Sequence, residues 1–221
     1  MNFELIFKFL KTLSKNNNRD WFEKHKGEYL IAKENFESFI ADLLVEATKF
    51  DKGLMGLNPK KLSFRIYRDV RFSKDKSPYK INMGATFSPG GKLMNKPGYY
   101  FHIEPGNKSF VAGGLYMPAT EDVNKVRQEI DYNGKKLEGI FKSAAFKKYY
   151  QGFDVFDQLK KAPKGYSTDH PHVEWLKMKS FIVTHYFKDS DVLSKNFLKE
   201  TTSSFKAMKP FNDFLGEAMA N

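Results

Sequence analysis

Three strand-like segments, residues 81–88, 98–104 and 109–117, follow one another through connections too short to hold a helix, and this spacing limits the fold more than any other feature of the chain. Parallel neighbours need a crossover of a dozen or more residues, whereas antiparallel neighbours need only a turn. Glycines between Gly84 and Gly114 separate the segments at hairpin distances, so an antiparallel meander is expected. Residues 62–72 alternate too: Leu62, Phe64, Ile66, Arg68, Val70 and Phe72 share one face, and Ser63, Arg65, Tyr67, Asp69 and Arg71 the other. The β-branched and aromatic run KMKSFIVTHYF, Lys177 to Phe187, adds a further strand. A central, mainly antiparallel sheet of about four to six strands results.

Helical periodicity brackets this block. Leu5, Ile6, Phe9, Leu10 and Leu13 form one stripe over residues 4–13, and the polar run Ser14 to Arg19 ends it. Asp20 and Glu23 have the spacing of a capping box for a long helix to about Thr48, with Gly27 a point of bending. Thr120 is placed to cap a helix to about Tyr132, Asn133-Gly134 to break it, and two short helices to follow. From Asp191 onward the chain again reads as helical, with Pro210 kinking that helix or starting a last one. The expected class is α+β, one domain over 1–221: N-terminal helices 1–50, a strand-rich core 60–118, a helical segment 120–150, and a strand plus C-terminal helices 172–221.

A chain of 221 residues with 41% apolar residues and 22 Phe has the composition of a packed globular protein. It contains no cysteine, which removes disulfides, thiolate metal sites and cysteine nucleophiles and fits a reducing compartment; the cytoplasm is the expected location. Glu4, Lys8 and Lys11 interrupt the apolar N-terminal residues, so neither a signal peptide nor a membrane span is expected.

The net charge of +11 is unevenly spread. Lys60, Lys61, Arg65, Arg68, Arg71, Lys74, Lys76 and Lys80 face only Asp69 and Asp75 in one stretch, so more than half of the excess lies there. Alternation sets Arg68 among apolar neighbours, where a bare guanidinium is costly; it needs a carboxylate partner, a ligand or a position at the sheet's rim. On the opposite face Asp69 falls between Arg65 and Arg71, which either bind a phosphate or carboxylate together or satisfy one another. Arg65, Arg68, Asp69, Arg71, Asp75, Lys76 and Tyr79 are therefore the candidate anion-binding residues. The plain alternative is an internal Arg–Asp network that braces the fold, with the lysines solvated.

These residues also carry a resemblance. The run RIYRDVRFSKDKSPYK (Arg65 to Lys80), together with NNRDWF (Asn17 to Phe22), GYYFHIEPG (Gly98 to Gly106), GGLYMP (Gly113 to Pro118) and Lys179-Ser180-Phe181, resembles the bacterial conserved hypothetical proteins of the Domain of Unknown Function 2461 family over almost the whole chain. The resemblance implies a chain-long architecture rather than a mechanism.

Other constellations are weaker. His102 and Glu104 alternate on one strand face as a candidate acid/base or ligand pair, with Asp69 or Asp75 as a further carboxylate; the ordinary reading is the outer face of a half-solvated sheet. Asp169-His170-Pro171-His172 has metal-ligand residue types, but an Asp or His before a proline at the first helical position accounts for much of it. The run Ser88-Pro89-Gly90-Gly91-Lys92 lacks the Walker A residues and reads as a hairpin turn. With no dinucleotide fingerprint or metalloprotease motif, neither cofactor nor metal is expected. The leading expectation is a protein that binds a phosphate-bearing small molecule or nucleic acid through Arg65 to Lys80. The alternatives are a metal-assisted phosphoester hydrolase using Asp69, His102 and Glu104, and a structural or adaptor protein.

Overall fold

The computed structural model describes residues 2–91 and 96–220. Lys92, named in the hairpin-turn reading, and Leu93 lie outside the described residues. In chain order the elements are α1 (Phe3–Lys15), α2 (Arg19–Lys24), α3 (Lys26–Thr48), a 3₁₀ turn (Lys52–Leu54), α4 (Pro59–Leu62), β1 (Met83–Phe87), β2 (Gly98–Ile103) and β3 (Ser109–Leu115). They continue as α5 (Thr120–Lys142), α6 (Ala144–Lys147), α7 (Val173–Leu176), β4 (Phe181–Phe187), α8 (Asp189–Val192) and α9 (Phe197–Ala220). Among the described residues the strands form one antiparallel sheet in the order β1-β2-β3-β4, with helices at both ends of the chain, an α+β fold. No described helix is long and apolar enough to cross a membrane.

Helices cover one face of the sheet. Phe87, Tyr99, Phe101, Val111, Phe181 and Val183 turn inward at every second position and are buried against α3 and α9. Phe39 of α3 stacks on Phe101 at 4.8 Å and on Phe197 of α9 at 5.3 Å, joining two helices and the sheet through aromatic rings. At the crossing of α9 over β3, a Cβ at Gly113 would fall 1.9 Å from Met208 Sδ, so only glycine allows this approach.

Both sheet edges carry irregular chain. Beside β1, Phe64 N–H donates to Gly84 O at 2.9 Å, and Ser63 bridges Ala85. Beside β4, Asp154 N–H donates to Ile182 O at 2.8 Å, and Gln158 bridges Met178. These two strips rise past the sheet on the face that the helices leave open.

The expected strand over 62–72 does not form. Pro59 starts α4, which ends at Leu62, and the rest makes only isolated bridges. Residues 66–68 run back along 78–80 instead: Lys80 N–H donates to Ile66 O at 2.7 Å and Arg68 N–H to Pro78 O at 2.9 Å. The alternation was misleading because its apolar face is not uniformly buried: Leu62 and Ile66 are, but Phe64 is 38% and Phe72 96% exposed. The charged partners lie on the returning limb and draw the segment into a narrow arm.

Several boundaries also differ. Asn18, not Asp20, caps α2, its side chain accepting from Trp21 N–H at 2.9 Å; the break before α3 falls at His25 rather than Gly27. Ala119 occupies the cap position of α5, which passes through a non-helical Asn133 (φ −122°) and continues to Lys142. Pro171 precedes α7, whose cap is His172. Pro210 lies inside the single helix α9.

Candidate functional site

The open sheet face is the floor of a groove of about 960 Å³. Outward positions line up across the strands by register: Gly84, His102, Phe110 and Tyr186 form one row, and Thr86, Tyr100, Ala112 and Thr184 the next. Gly84 and Ala112 keep the floor low between larger side chains. Three aromatic rings run along it, with Tyr100 and Phe110 centroids 5.7 Å apart and Phe110 and Tyr186 5.5 Å apart; Tyr186 is 65% exposed. Phe64 and Lys80 stand on the β1 side, and Asp154 to Phe156 on the β4 side. At the far end Tyr116 and Phe156 stack at 5.9 Å, both open to solvent.

The polar part of the floor is built along β2. His102 Nε2 lies 3.2 Å from Glu104 Oε2, and His102 Nδ1 lies 3.1 Å from the Tyr100 hydroxyl. The imidazole stacks on Phe110 at 4.5 Å. Burial lowers the His102 pKa against the opposing pull of Glu104, and burial together with the Glu104 charge pushes the Tyr100 phenol up to about 12. A Cβ at Gly84 would fall 2.5 Å from the Tyr100 hydroxyl oxygen, so glycine there makes room for it. Across the groove the Thr184 hydroxyl donates to Asp154, whose pKa burial raises.

A recess of about 380 Å³ joins this floor to the arginine arm, with Arg68, Asp69 and Lys80 beside Tyr100 and His102. Of the three outcomes open to it, Arg68 takes a carboxylate partner: it pairs with Asp75 and donates to Ser77 O at 3.2 Å and Ser73 Oγ at 3.3 Å. The Ser77 hydroxyl and N–H, then Arg68, hold the Asp75 carboxyl down at about 2. Arg71 clasps Asp69 bidentately, Nε to Oδ1 at 3.0 Å and Nη2 to Oδ2 at 2.7 Å, and this pairing lowers the Asp69 pKa. Lys80 Nζ reaches Arg65 O at 3.0 Å and lies 5.5 Å from the Phe64 ring centroid. Lys76 donates to Val70 O at 3.0 Å. Tyr79 faces the core, stacked on Phe22 at 4.0 Å and only 3% exposed, with its backbone gripped by Asn17.

The structure thus brings Arg68, Asp69, His102 and Lys80 to one recess, and turns Tyr79 away from it. Among the described residues no group of three or more His, Asp or Glu side chains is placed to hold a metal ion. His170 instead lies 3.1 Å from Asp131, and His172 stacks on Trp175 at 4.6 Å while filling the space above Gly134. Sequence reasoning missed Tyr100, Phe110, Asp154, Thr184 and Tyr186. For Tyr100, Phe110, Thr184 and Tyr186 the signal was present as period-two alternation on β2, β3 and β4, whose outward residues include three aromatic rings that a solvated face would not carry; Asp154 lies outside the strands and gave no such signal.

Fold and groove together define an α+β protein with a ligand-sized concavity on an uncovered antiparallel sheet. The chain belongs to the family described as conserved hypothetical protein (DUF2461), whose model matches residues 5–214. No curated protein and no solved structure is significantly similar to it.

Proposed function

We propose that the protein binds a phosphate-bearing ligand, with single-stranded nucleic acid first among the candidates. The observation that carries this reading is that the row of Tyr100, Phe110 and Tyr186 shares a continuous concavity with Arg68 and Lys80. Flat rings accept bases by stacking whatever their sequence, at about 1–3 kcal/mol per base, and cations beside them follow the phosphates. A net charge of +11 draws polyanions toward the surface. The test is fluorescence anisotropy with labelled single- and double-stranded oligonucleotides across a salt series, and thermal shift with nucleotides and phosphosugars. Binding must weaken as salt rises, because phosphate contacts release counterions. Salt-insensitive or absent binding overturns the reading.

A second reading has its own support. Arg68–Asp75 and Asp69–Arg71 are paired within the arm, as in a brace between its limbs. In that case substitution of Arg68 lowers stability and leaves every ligand response unchanged.

A further inference from the structure

The row along β2 is arranged for more than contact. Tyr100, His102 and Glu104 occupy alternate positions and project from the same face, with His102 between the other two. Lys108 Nζ lies 3.1 Å from the second oxygen of Glu104. An ionised carboxylate only accepts hydrogen bonds, so it selects the imidazole tautomer with the proton on Nε2. Nδ1 is then left with its lone pair, and the Tyr100 hydroxyl donates to it. Burial supports this assignment by favouring neutral His102. Stacking on Phe110 fixes the plane of the ring.

A hydroxyl, a base within hydrogen-bond reach and a carboxylate that orients the base are the parts of an activated nucleophile, a role tyrosine fills in several enzymes. We infer that Tyr100 is the nucleophile of a phosphoryl-transfer reaction in the groove, with His102 as its base and Glu104 as the residue that positions the base. This rests on the reading of the groove as a phosphate-ligand site. In the first step a bond forms between the Tyr100 oxygen and phosphorus, and the bond from phosphorus to the leaving alcohol oxygen breaks. The phenolic proton passes to His102 Nδ1 and from there to the departing oxygen. Water then attacks the tyrosyl phosphodiester, His102 takes its proton, and return of that proton to the phenolate restores Tyr100. The net change is a phosphodiester plus water to a phosphomonoester plus alcohol. Arg68 and Lys80 border the same recess, the place for cations that stabilise charge on the phosphoryl oxygens. A phenol is protonated at neutral pH and burial raises the Tyr100 pKa further, so attack depends on the base.

The experiment incubates wild type with oligonucleotides labelled at either end and with bis-p-nitrophenyl phosphate. Covalent adducts are resolved under denaturing conditions and the modified peptide is located by mass spectrometry. Binding is measured in parallel by anisotropy. The expected result is an adduct on Tyr100 that Tyr100→Phe abolishes, and turnover reduced at least about a hundredfold by His102→Gly and partly restored by added imidazole. Thermal unfolding of both variants checks that they fold. Oligonucleotide binding without adduct or cleavage overturns the transfer reaction and leaves the binding reading standing. Cleavage that persists in Tyr100→Phe places the nucleophile elsewhere and also overturns it, and a protein that neither binds the oligonucleotides nor turns over either probe removes both readings.

Discussion

Tyr99 and Tyr100 are chain neighbours whose hydroxyls lie on opposite faces of the sheet: that of Tyr99 donates to Asp51 at 2.8 Å inside the core, and that of Tyr100 meets His102 at 3.1 Å in the groove. The pleat of β2 makes one a structural phenol and the other a candidate reactive one. Each can be removed without touching the other.

Tyr99→Phe should destabilise the protein by about 1–3 kcal/mol, because it takes a donor from a buried carboxylate and leaves the ring in place. Asp51 is only 8% exposed and keeps Gly53 N–H, at 3.0 Å, as a remaining donor. Urea unfolding reads the loss as a lower midpoint at unchanged slope. Ligand binding should be unaffected, so a binding defect in this variant would count against the separation of the two faces.

Gly84→Ala should act on the groove. The added methyl must displace the Tyr100 hydroxyl, since the two cannot coexist at 2.5 Å. The expected outcome is a change in the His102 imidazole resonances by NMR with the sheet retained. Unaltered resonances would show that Tyr100 does not sit over Gly84.

Arg68→Ala and Arg71→Ala should differ. Arg68 is partly covered, with 26% of its side chain exposed, and ties Asp75, Ser73 and Ser77 together; its loss should cost about 1–3 kcal/mol. Arg71 is 76% exposed, and its solvent-screened pair with Asp69 should contribute less than the contacts of Arg68. Thermal denaturation of the two variants tests the order, and equal losses would contradict it.

Phe110→Ala should weaken oligonucleotide binding by about 1–3 kcal/mol at every salt concentration, whereas Lys80→Ala should flatten the salt dependence. Anisotropy titrations at several salt concentrations separate the two effects. A Lys80 variant with an unchanged slope would place the phosphates elsewhere.

Stability should fall as pH drops through the histidine range. Burial lowers the pKa of both His102 and His185 in the folded protein, so below about 6.5 the unfolded chain binds more protons than the folded one. Their contribution is complete above that value and is lost progressively down to the folded-state values. Asp75, held at about 2, adds a separate acid limb below about 3.9, and Asp154, raised by burial, works in the opposite sense at acid pH. Urea midpoints between pH 7.5 and 5.5 should decline, less steeply in His102→Asn. A flat profile would show that neither imidazole is held neutral.

What was readable from the chain were features set by near neighbours. The stripe of α1 and the hairpin spacing of β1, β2 and β3 depend on residues a few positions apart, and both appear in the structure. That Arg68 needs a carboxylate, a ligand or a place at the rim was also legible, although the strand from which this followed does not form. The answer by Asp75, on a returning limb, depended on the path of the arm. The aromatic row was hidden because Tyr100, Phe110 and Tyr186 meet only through the registers of β2 with β3 and β3 with β4, the latter pairing formed across α5, α6 and α7. Tyr79 looked like an anion-binding residue because its neighbours are charged, while the ring it meets, Phe22, lies far away in sequence.

The strips beside β1 and β4 hold their places through backbone hydrogen bonds to Gly84 O and Ile182 O, groups a bare sheet would offer to any passing strand. They therefore have a second effect, on how copies of the chain behave toward one another. An open antiparallel sheet with a floor of exposed aromatics is a template for edge-to-edge polymerisation, and here both margins are occupied. Proteolytic nicking within residues 63–68 or 154–158 should free those margins and turn a well-behaved solution into one that scatters light.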